Sequence, residues 1–330
     1  MIFNLGQNHY TCIDIGAYAV KVVMLQKLED SSLKILDARY EQLPPETIQD
    51  GKIADHAIIE NKLNSIFSSL TNRPQNILTT ISSSNLITRN IELPLLDKGE
   101  LKEAIKWELD DVLPFDSDKT IFDYIITSTN EETMNLLVIA VKEEVIDNFM
   151  KPFENINYTP EVINAQSTAL LSLLKYQSNL EGPTAVIDIG HHGSRVILGD
   201  EYNIQLSRDI DNGGRNFTDE IIEMRNFNYK EAEDYKMQTG INSKEDSEDE
   251  FTSEASLLGF GNELYNIGRE IAEEISRSLE FYSIKNRGNN INKVFFTGGS
   301  IYLKGLLDII DEEIAQTPIL IDPLEGFENN

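Results

Sequence analysis

Thr11-Cys12-Ile13-Asp14-Ile15-Gly16, followed at a short interval by Lys21-Val22-Val23-Met24, is the stretch that decides the fold. Its pattern returns 174 residues later as Ala185-Val186-Ile187-Asp188-Ile189-Gly190, followed by Arg195-Val196-Ile197-Leu198. In each copy the two apolar runs predict strands and the glycine predicts a tight turn between them. One copy alone is most simply a strand followed by a turn. Repetition at identical spacing instead predicts two related lobes facing a shared cleft.

The chemistry of these turns favours phosphate. Gly16 and Gly190 permit backbone angles that other residues avoid, so the turn N–H groups can form a concave anion site. Asp14 and Asp188 stand at strand ends, where a hydrated Mg2+ would offset their repulsion. Mg2+ usually takes one or two carboxylates, several waters and substrate phosphates. The predicted nucleotide contacts in the two turns are Gly16, Ala17, Tyr18, Gly190, His191 and His192.

Two glycine pairs add to this pattern. Gly298-Gly299-Ser300 follows the apolar strand pattern of residues 293–297 and precedes a helical pattern. Gly213-Gly214 lies four residues after Asp209 and precedes another helical stretch. A glycine pair lets the backbone approach a flat ligand, and a helix N-terminus favours an anion. Both pairs are therefore predicted to contact the nucleotide, together with Ser300.

In this order the motifs resemble the actin, sugar kinase and heat-shock chaperone superfamily over nearly the whole chain. Within it, the sequence resembles the PilM family of actin-like type IV pilus assembly proteins. The resemblance implies an α/β actin-like ATPase fold, with two ribonuclease-H-like lobes around a nucleotide cleft and a small α/β subdomain inserted in the first lobe. The closer match rests on residues 91–94, 100–115, 122–124, 231–236 and 274–282.

The domain boundaries follow from the same resemblance. Residues 1–181 are expected to form the first lobe, with the inserted subdomain at about 86–155. Residues 182–330 are expected to form the second lobe, with a subdomain at about 215–285. Apolar periodicity within the insert predicts a strand, a helix, two strands and a second helix. The chain after Pro318 is predicted to be a final strand and a loose end.

The resemblance also implies ATP and Mg2+ as cofactors and assigns roles in the cleft. Lys21 would meet the phosphates, although a lysine at a strand surface is the plain alternative. Gln166 would orient the attacking water, or be an ordinary first residue of a helix. Asp209 would join Asp14 and Asp188 around Mg2+, mostly through water.

Glu233 and Lys236 match a segment whose side chains reach ribose and adenine. The alternative is a surface ion pair at helical spacing, worth a few tenths of a kcal/mol. The chain departs from its relatives at Ala17 and Tyr18, where a hydroxyl residue and a small residue are usual. The neighbouring His191 and His192 do not suggest a metal site, because typical sites need three or four converging ligands. At most, a slow ATPase is expected.

Composition restricts the possible partners. The net charge of −28 argues against nucleic acid and against direct docking on anionic lipid. The single cysteine, Cys12, allows no intramolecular disulfide and fits a reducing compartment. No signal peptide, spanning segment or FtsA-like amphipathic tail is visible. The expected location is the cytoplasm, with recruitment to the inner face of the cytoplasmic membrane through partners.

The resemblance therefore implies a pilus assembly scaffold that binds ATP and the N-terminal cytoplasmic peptide of the membrane protein PilN. Other inner-membrane pilus proteins and further copies of the chain are additional expected partners. The peptide groove is expected among residues 86–93 and 107–115. Trp107 is either a peptide anchor or, more simply, a partly buried core residue. The acidic stretch 242–256 is a solvated loop or a dock for a basic partner.

Three other functions stay open at this stage. An FtsA-like ATPase that forms filaments would have the same fold, and so would a type II secretion homologue. A small-molecule kinase would need an aspartate base facing a substrate hydroxyl. No segment of the sequence carries that signature, and the insert is too small for a sugar pocket.

Overall fold

The computed structural model describes residues 8–82, 85–113, 117–177, 182–200, 203–241, 255–286 and 291–328. These residues form two compact units. The first comprises the described residues up to 177 together with 203–204 and 323–328. The second comprises the described residues from 182 to 322 without 203–204.

The first unit is built on a five-stranded sheet with the order β10-β6-β1-β2-β3. β1 and β2 form the predicted antiparallel hairpin, with Asp14 directly opposite Lys21, and β6 runs parallel to β1. The hairpin prediction is therefore confirmed. The strands of this unit outside the insert are β1 (His9–Ile15), β2 (Ala19–Lys27), β3 (Leu33–Gln42), β4 (Ile48–Gln49), β5 (Lys52–Ile53), β6 (Ile77–Ile81) and β10 (Val162–Ala165).

Three helices cover this sheet: α1 (His56–Ser69), α3 (Glu143–Asn155) and α4 (Gln166–Gln177). The side chain of Asp55 accepts a hydrogen bond from the amide of Ile58 and so caps the start of α1. Ile59, Leu63 and Ile66 recur at helical spacing and are buried, which fixes the inward face. Burial raises the pKa of the Cys12 thiol on β1 to about 11, so that cysteine stays protonated and unreactive.

The insert is a three-stranded antiparallel sheet with the order β7-β9-β8 and one helix on its face. Its elements are β7 (Leu86–Pro94), α2 (Lys98–Val112), β8 (Thr120–Thr129) and β9 (Thr133–Lys142). The predicted order of strand, helix, strand, strand and second helix is confirmed. α2 packs through Leu101, Ile105 and Leu109 onto alternate residues of β9. The following helix, α3, packs instead on the core of the larger sheet.

The second unit has its own five-stranded sheet, with the order β13-β12-β11-β14-β15. The second predicted hairpin is confirmed: Asp188 lies opposite Arg195, and Asp188 is also the parallel neighbour of Thr297. The elements are β11 (Thr184–Ile189), β12 (Ser194–Asp200), β13 (Asn203–Ile210), α5 (Gly214–Arg225), α6 (Tyr229–Thr239), α7 (Ala255–Lys285), β14 (Lys293–Thr297), α8 (Leu306–Glu313) and β15 (Pro318–Leu320).

The long helix predicted over 261–287 is α7, which begins earlier, at Ala255. Ile271, Ile275, Leu279 and Tyr282 lie on its buried face, as their spacing predicts. The acidic stretch 242–256 lies outside the described residues except for its last two positions, which begin α7.

The chain after β15 is not loose, so that prediction is wrong. The amide of Glu328 donates to the carbonyl of Leu33 at 2.9 Å, and the amide of Ile35 donates to the carbonyl of Glu328 at 2.8 Å. Phe327 packs on Tyr176, with ring centroids 5.1 Å apart. β3 is the edge of its sheet, and the tail satisfies backbone groups that this edge would otherwise present to water. Among the described helices, none combines the length and apolarity that crossing a bilayer requires.

Candidate functional site

Three segments that the sequence singles out meet within the second unit. They are the hairpin turn 190–193, the start of α5 at 213–214, and residues 298–300 after β14. The amide of Gly214 donates to the carbonyl of Gly190 at 2.9 Å. The hydroxyl of Ser300 donates to that same carbonyl, also at 2.9 Å. The fold thus gathers the three predicted glycine elements around one turn.

The glycines at this junction are required by the packing of the protein on itself. A Cβ at Gly298, whose φ is +94°, would lie 2.3 Å from the carbonyl oxygen of Ile189. A Cβ at Gly213 would lie 2.6 Å from the amide of Gly193. Close approach to a ligand was the predicted reason, but these two positions show close approach to neighbouring backbone. Gly299 differs, because a Cβ there would meet no atom within 4 Å, so this position faces open space.

The helix predicted to follow Gly298-Gly299-Ser300 is present as α8, but it does not begin directly after the glycine pair. Residues 300–302 form a single 3-10 turn, closed by the amide of Leu303 donating to the carbonyl of Ser300. α8 starts only after Gly305, which has a φ of +89°. The first amides of α5 are also engaged, since that of Arg215 donates to the carbonyl of His191 at 2.7 Å. Helix N-termini therefore do not supply the anion site expected here.

Side chains also lie beside this turn. His191 is partly buried in the turn, and its Nε2 lies 2.9 Å from the hydroxyl of Tyr229. Burial, which is the largest cause, and the positive charges of Lys236, His192 and Arg215 together lower the pKa of His191 to about 3. Beside the turn, Arg215 pairs with Asp219 at 3.1 Å, and Lys236 pairs with Glu233 at 2.7 Å. Both cations are thus offset by a carboxylate, and Arg215 is the more exposed of the two.

The pKa of His191 predicts how stability depends on pH. The folded state keeps this imidazole neutral down to about pH 3, whereas the unfolded chain takes up a proton near its ordinary value of 6.5. The unfolded state therefore binds more protons between these values, and the stability contributed by His191 is complete above pH 6.5 and is lost as the pH falls. The slope is up to about 1.4 kcal/mol per pH unit.

Urea unfolding of wild type and His191→Gln between pH 4.5 and 7.5 measures this effect. The free energy of unfolding should fall less steeply with acidification in the variant. His192→Gln is the matched control for loss of an imidazole from the same turn, and it should keep the wild-type slope. Identical slopes for wild type and His191→Gln would contradict the prediction.

Two of the carboxylates predicted to surround Mg2+ have cationic partners of their own. Asp14 pairs with Lys21 at 2.8 Å. Asp209 accepts a hydrogen bond from Nε of the buried Arg195 at 2.6 Å. Arg195 occupies the hairpin position that corresponds to Lys21. Arg195 follows Asp188 by the same seven residues as Lys21 follows Asp14, and this spacing could have identified Arg195 as a site residue, but the sequence interpretation did not include it.

These ion pairs affect how the predicted carboxylates could hold a metal ion. No group of three or more His, Cys, Asp or Glu side chains that could hold a metal ion occurs in the part of the chain that the structure describes. A cage made only of protein ligands is therefore not found there. The donor set suits an Mg2+ that keeps most of its waters and is held through a nucleotide's phosphates.

Glu233 and Lys236 are buried, so the interpretation as a surface ion pair is wrong. The ammonium group of Lys236 lies 2.7 Å from a carboxylate oxygen of Glu233, 2.7 Å from the hydroxyl of Thr218 and 3.0 Å from the carbonyl of Gly214. Thr218 also donates to Glu233. All three donors of the lysine are thus used within the protein. Sequence spacing gave no sign of Thr218.

The predicted residues of the first unit lie around its own hairpin. The side chain of Lys21 is 57% exposed and reaches Asp14 across the strands. The hydroxyl of Thr80 lies 3.5 Å from Asp14. The turn at Ala17 and Tyr18 is closed by the amide of Gly16, which donates to the carbonyl of Ala19 at 3.1 Å. Gln166 is the first residue of α4, directly after β10. The nucleotide contacts of all these residues stay predictions.

Two mixed sheets, each beginning with an Asp-Ile-Gly hairpin, and the α/β insert define an actin-like protein. Solved structures share the fold. One is the ethanolamine utilization protein EutJ from Carboxydothermus hydrogenoformans, at a TM-score of 0.58 and 11% identity over 99% of this chain and 90% of that chain. Another is MreB 5 of Spiroplasma citri bound to AMPPNP, at a TM-score of 0.51 and 16% identity over 97% of this chain and 95% of that chain.

The family is more specific. Residues 12–330 match the family model described as type IV pilus assembly protein PilM, and the chain belongs to that family. A solved PilM-PilN type IV pilus biogenesis complex matches at a TM-score of 0.82 and 19% identity, over 97% of this chain and 90% of that chain. The predicted fold class and family are thus confirmed, and the chain is an actin-like protein of type IV pilus assembly.

Proposed function

We propose that this chain is a nucleotide-binding scaffold of the type IV pilus machinery. It binds ATP with Mg2+ and grips the N-terminal cytoplasmic peptide of PilN. The observation that carries the nucleotide part is the convergence of the three glycine elements on turn 190–193, beside the open space at Gly299. A phosphate chain is the common cellular ligand that such a turn would favour.

The second unit would hold the phosphates with the backbone of turn 190–193 and with the charge of Arg215. Open space beside Gly299 leaves room for the ligand's approach. Lys21 and the turn at residues 16–18 would add the contacts that the motif predicts. Asp14, Asp188 and Asp209 would hold Mg2+ through water, and the metal would neutralise phosphate charge. Turnover, with Gln166 as the water orienter, would be slow because Ala17 offers the phosphates no hydroxyl.

The partner part rests on the likeness to a PilM-PilN complex and on the form of the insert. β7 is an edge strand, and among the described residues it pairs only with β9. An extended peptide can add to such an edge through main-chain hydrogen bonds. Arg89 and Glu92 on β7 are exposed and would set specificity. Binding to PilN would place this acidic protein at the cytoplasmic membrane without any contact to anionic lipid.

One calorimetric experiment with two ligands tests the proposal. ATP is titrated into wild type, Arg215→Ala and Arg225→Ala, with and without Mg2+. Arg215→Ala should weaken ATP binding about tenfold, because it removes a charged hydrogen bond to phosphate. Arg225→Ala, at the other end of α5, is the control and should change affinity less than about twofold. A wild type that binds no nucleotide would reject the first part of the proposal.

The second ligand is a synthetic peptide of the PilN N-terminus, titrated with and without Mg-ATP. Arg89→Glu reverses a charge on the edge strand β7 where the PilN peptide would bind. It should therefore weaken binding of that peptide about tenfold. Lys102→Glu, an equal charge reversal on exposed α2, is the control and should bind as wild type does. Indifference of the wild type to the peptide would reject the second part.

A further inference from the structure

The solvent face of α2 carries the one tryptophan of the chain. Trp107 is 76% exposed, so the expectation of a partly buried core residue is wrong. Its position explains this, because Trp107 lies two residues after the buried Ile105 and so points away from the sheet. A tryptophan side chain that is exposed to solvent on a regular helix contributes little to the hydrophobic core. Tryptophan is enriched among the residues that contribute most to protein interfaces, so its position on this face suggests a binding surface.

The surroundings of Trp107 are acidic. Residues seven and four positions before it, and three and four positions after it, share its face of the helix. All four are carboxylates and all are exposed: Glu100, Glu103, Asp110 and Asp111. Among the described residues none of these four forms an ion pair, whereas Lys106 on the flank pairs with Asp118 at 2.5 Å. We call Trp107 with these four carboxylates the Trp107 face.

Charge decides what this face can bind. A second copy would bring carboxylates against carboxylates, and anionic lipid or nucleic acid would be repelled in the same way. An apolar partner would strip water from four charges without pairing them. An arginine or lysine side chain is stabilised by both the carboxylates and the tryptophan of this face, since it pairs with carboxylates and lies favourably over an indole ring.

We propose that the Trp107 face docks a basic segment of a partner protein. An arginine of that segment stacks on Trp107, while its neighbours pair with the carboxylates. This surface is separate from the β7 edge proposed for PilN, because it lies on the side of α2 that faces away from the sheet. It does not depend on nucleotide binding.

Because Trp107 is the only tryptophan, its fluorescence reports this face directly. A short arginine-rich peptide is titrated into the full chain, and a glutamate-rich peptide of equal length serves as the comparison. Saturable quenching by the basic peptide alone is expected, and it should weaken as the salt concentration is raised from about 50 to about 300 mM. Calorimetry shows the peptide concentration at which binding is saturated. An unchanged Trp107 fluorescence spectrum at that concentration would overturn the proposal.

Two sets of variants separate this site from general attraction to an acidic protein. The face variant replaces the four carboxylates of the Trp107 face, Glu100, Glu103, Asp110 and Asp111, by the matching amides. The control variant neutralises four exposed carboxylates elsewhere, at Glu131, Glu132, Glu312 and Glu313, and has the same net charge. Affinity for the arginine-rich peptide should fall at least about tenfold in the face variant and less than about twofold in the control variant. Equal losses in both would show nonspecific attraction and overturn the proposal.

Trp107→Ala, followed by calorimetry, tests the aromatic contact itself. It should weaken peptide binding about tenfold, as expected for a tryptophan at the centre of a contact. Its stability should match the wild type within about 0.5 kcal/mol, since the ring is exposed. Phe281→Ala, another exposed aromatic change, should leave peptide binding unaltered. Unchanged binding in Trp107→Ala, or peptide-free self-association through this face, would contradict the assignment.

Discussion

Replacement of Lys236 by methionine is expected to destabilise the second unit by about 3–5 kcal/mol. The ammonium group donates to Glu233, Thr218 and the carbonyl of Gly214, all within a buried region. Removing it leaves the carboxylate of Glu233 buried without its cation. Burial lowers the pKa of Lys236, and the charge of Glu233 opposes that shift, so the charged form of Lys236 depends on Glu233.

The double variant Glu233→Gln/Lys236→Met is the matched control. It removes both charges, so most of the lost stability should return. Unfolding in urea, followed by circular dichroism and by amide exchange in α5 and α6, measures both variants. Trp107 fluorescence follows the first unit in the same samples. A cost below about 1 kcal/mol for Lys236→Met, or a double variant as unstable as the single one, would contradict this account.

Alanine at Gly298 is expected to cost about 3 kcal/mol or more, while alanine at the adjacent Gly299 should cost less than about 0.5 kcal/mol. Gly298 has a φ of +94°, which strains any other residue. Its Cβ would also lie 2.3 Å from the carbonyl of Ile189 and 2.5 Å from a carboxylate oxygen of Asp188. Neither neighbour can retreat cheaply, because one is strand backbone and the other stands at a strand end.

Gly299 is the internal control, since its φ is −68° and a Cβ there meets nothing within 4 Å. Thermal unfolding of the two single variants compares them directly. If the open space beside Gly299 is where ATP approaches, Gly299→Ala should bind ATP more weakly while keeping wild-type stability. Equal stability of the two variants would show that the turn tolerates a side chain at both positions.

Several features of the fold could be read from the sequence because they are local. Each Asp-Ile-Gly hairpin needs only two apolar runs and a glycine between them, and both pairs of strands form antiparallel hairpins. The inward faces of α1 and α7 follow from apolar residues at helical spacing. The outward position of Trp107 was readable as well, since it lies two residues after Ile105 on the same helix.

The partners of charged side chains were not readable in this way. Asp209 and Arg195 are separated by 14 residues, and only the packing of neighbouring strands brings them to 2.6 Å. Glu233 and Lys236 have ordinary helical spacing, which cannot tell a surface pair from a buried one. Their burial depends on α5 lying against α6, where Thr218 completes the network.

By itself, then, the sequence determined two repeated hairpins and the order of strands and helices, and its resemblance indicated the actin-like pilus assembly family. The hairpins and the order of elements depend on periodicity and turn chemistry, which act over a few residues. The tertiary structure decided which charges are buried, which carboxylates already have cations, and which glycines are required by packing on neighbouring backbone. It also decided that the tail joins β3. The physical reason is that burial and pairing depend on contacts between distant segments, which no local pattern specifies.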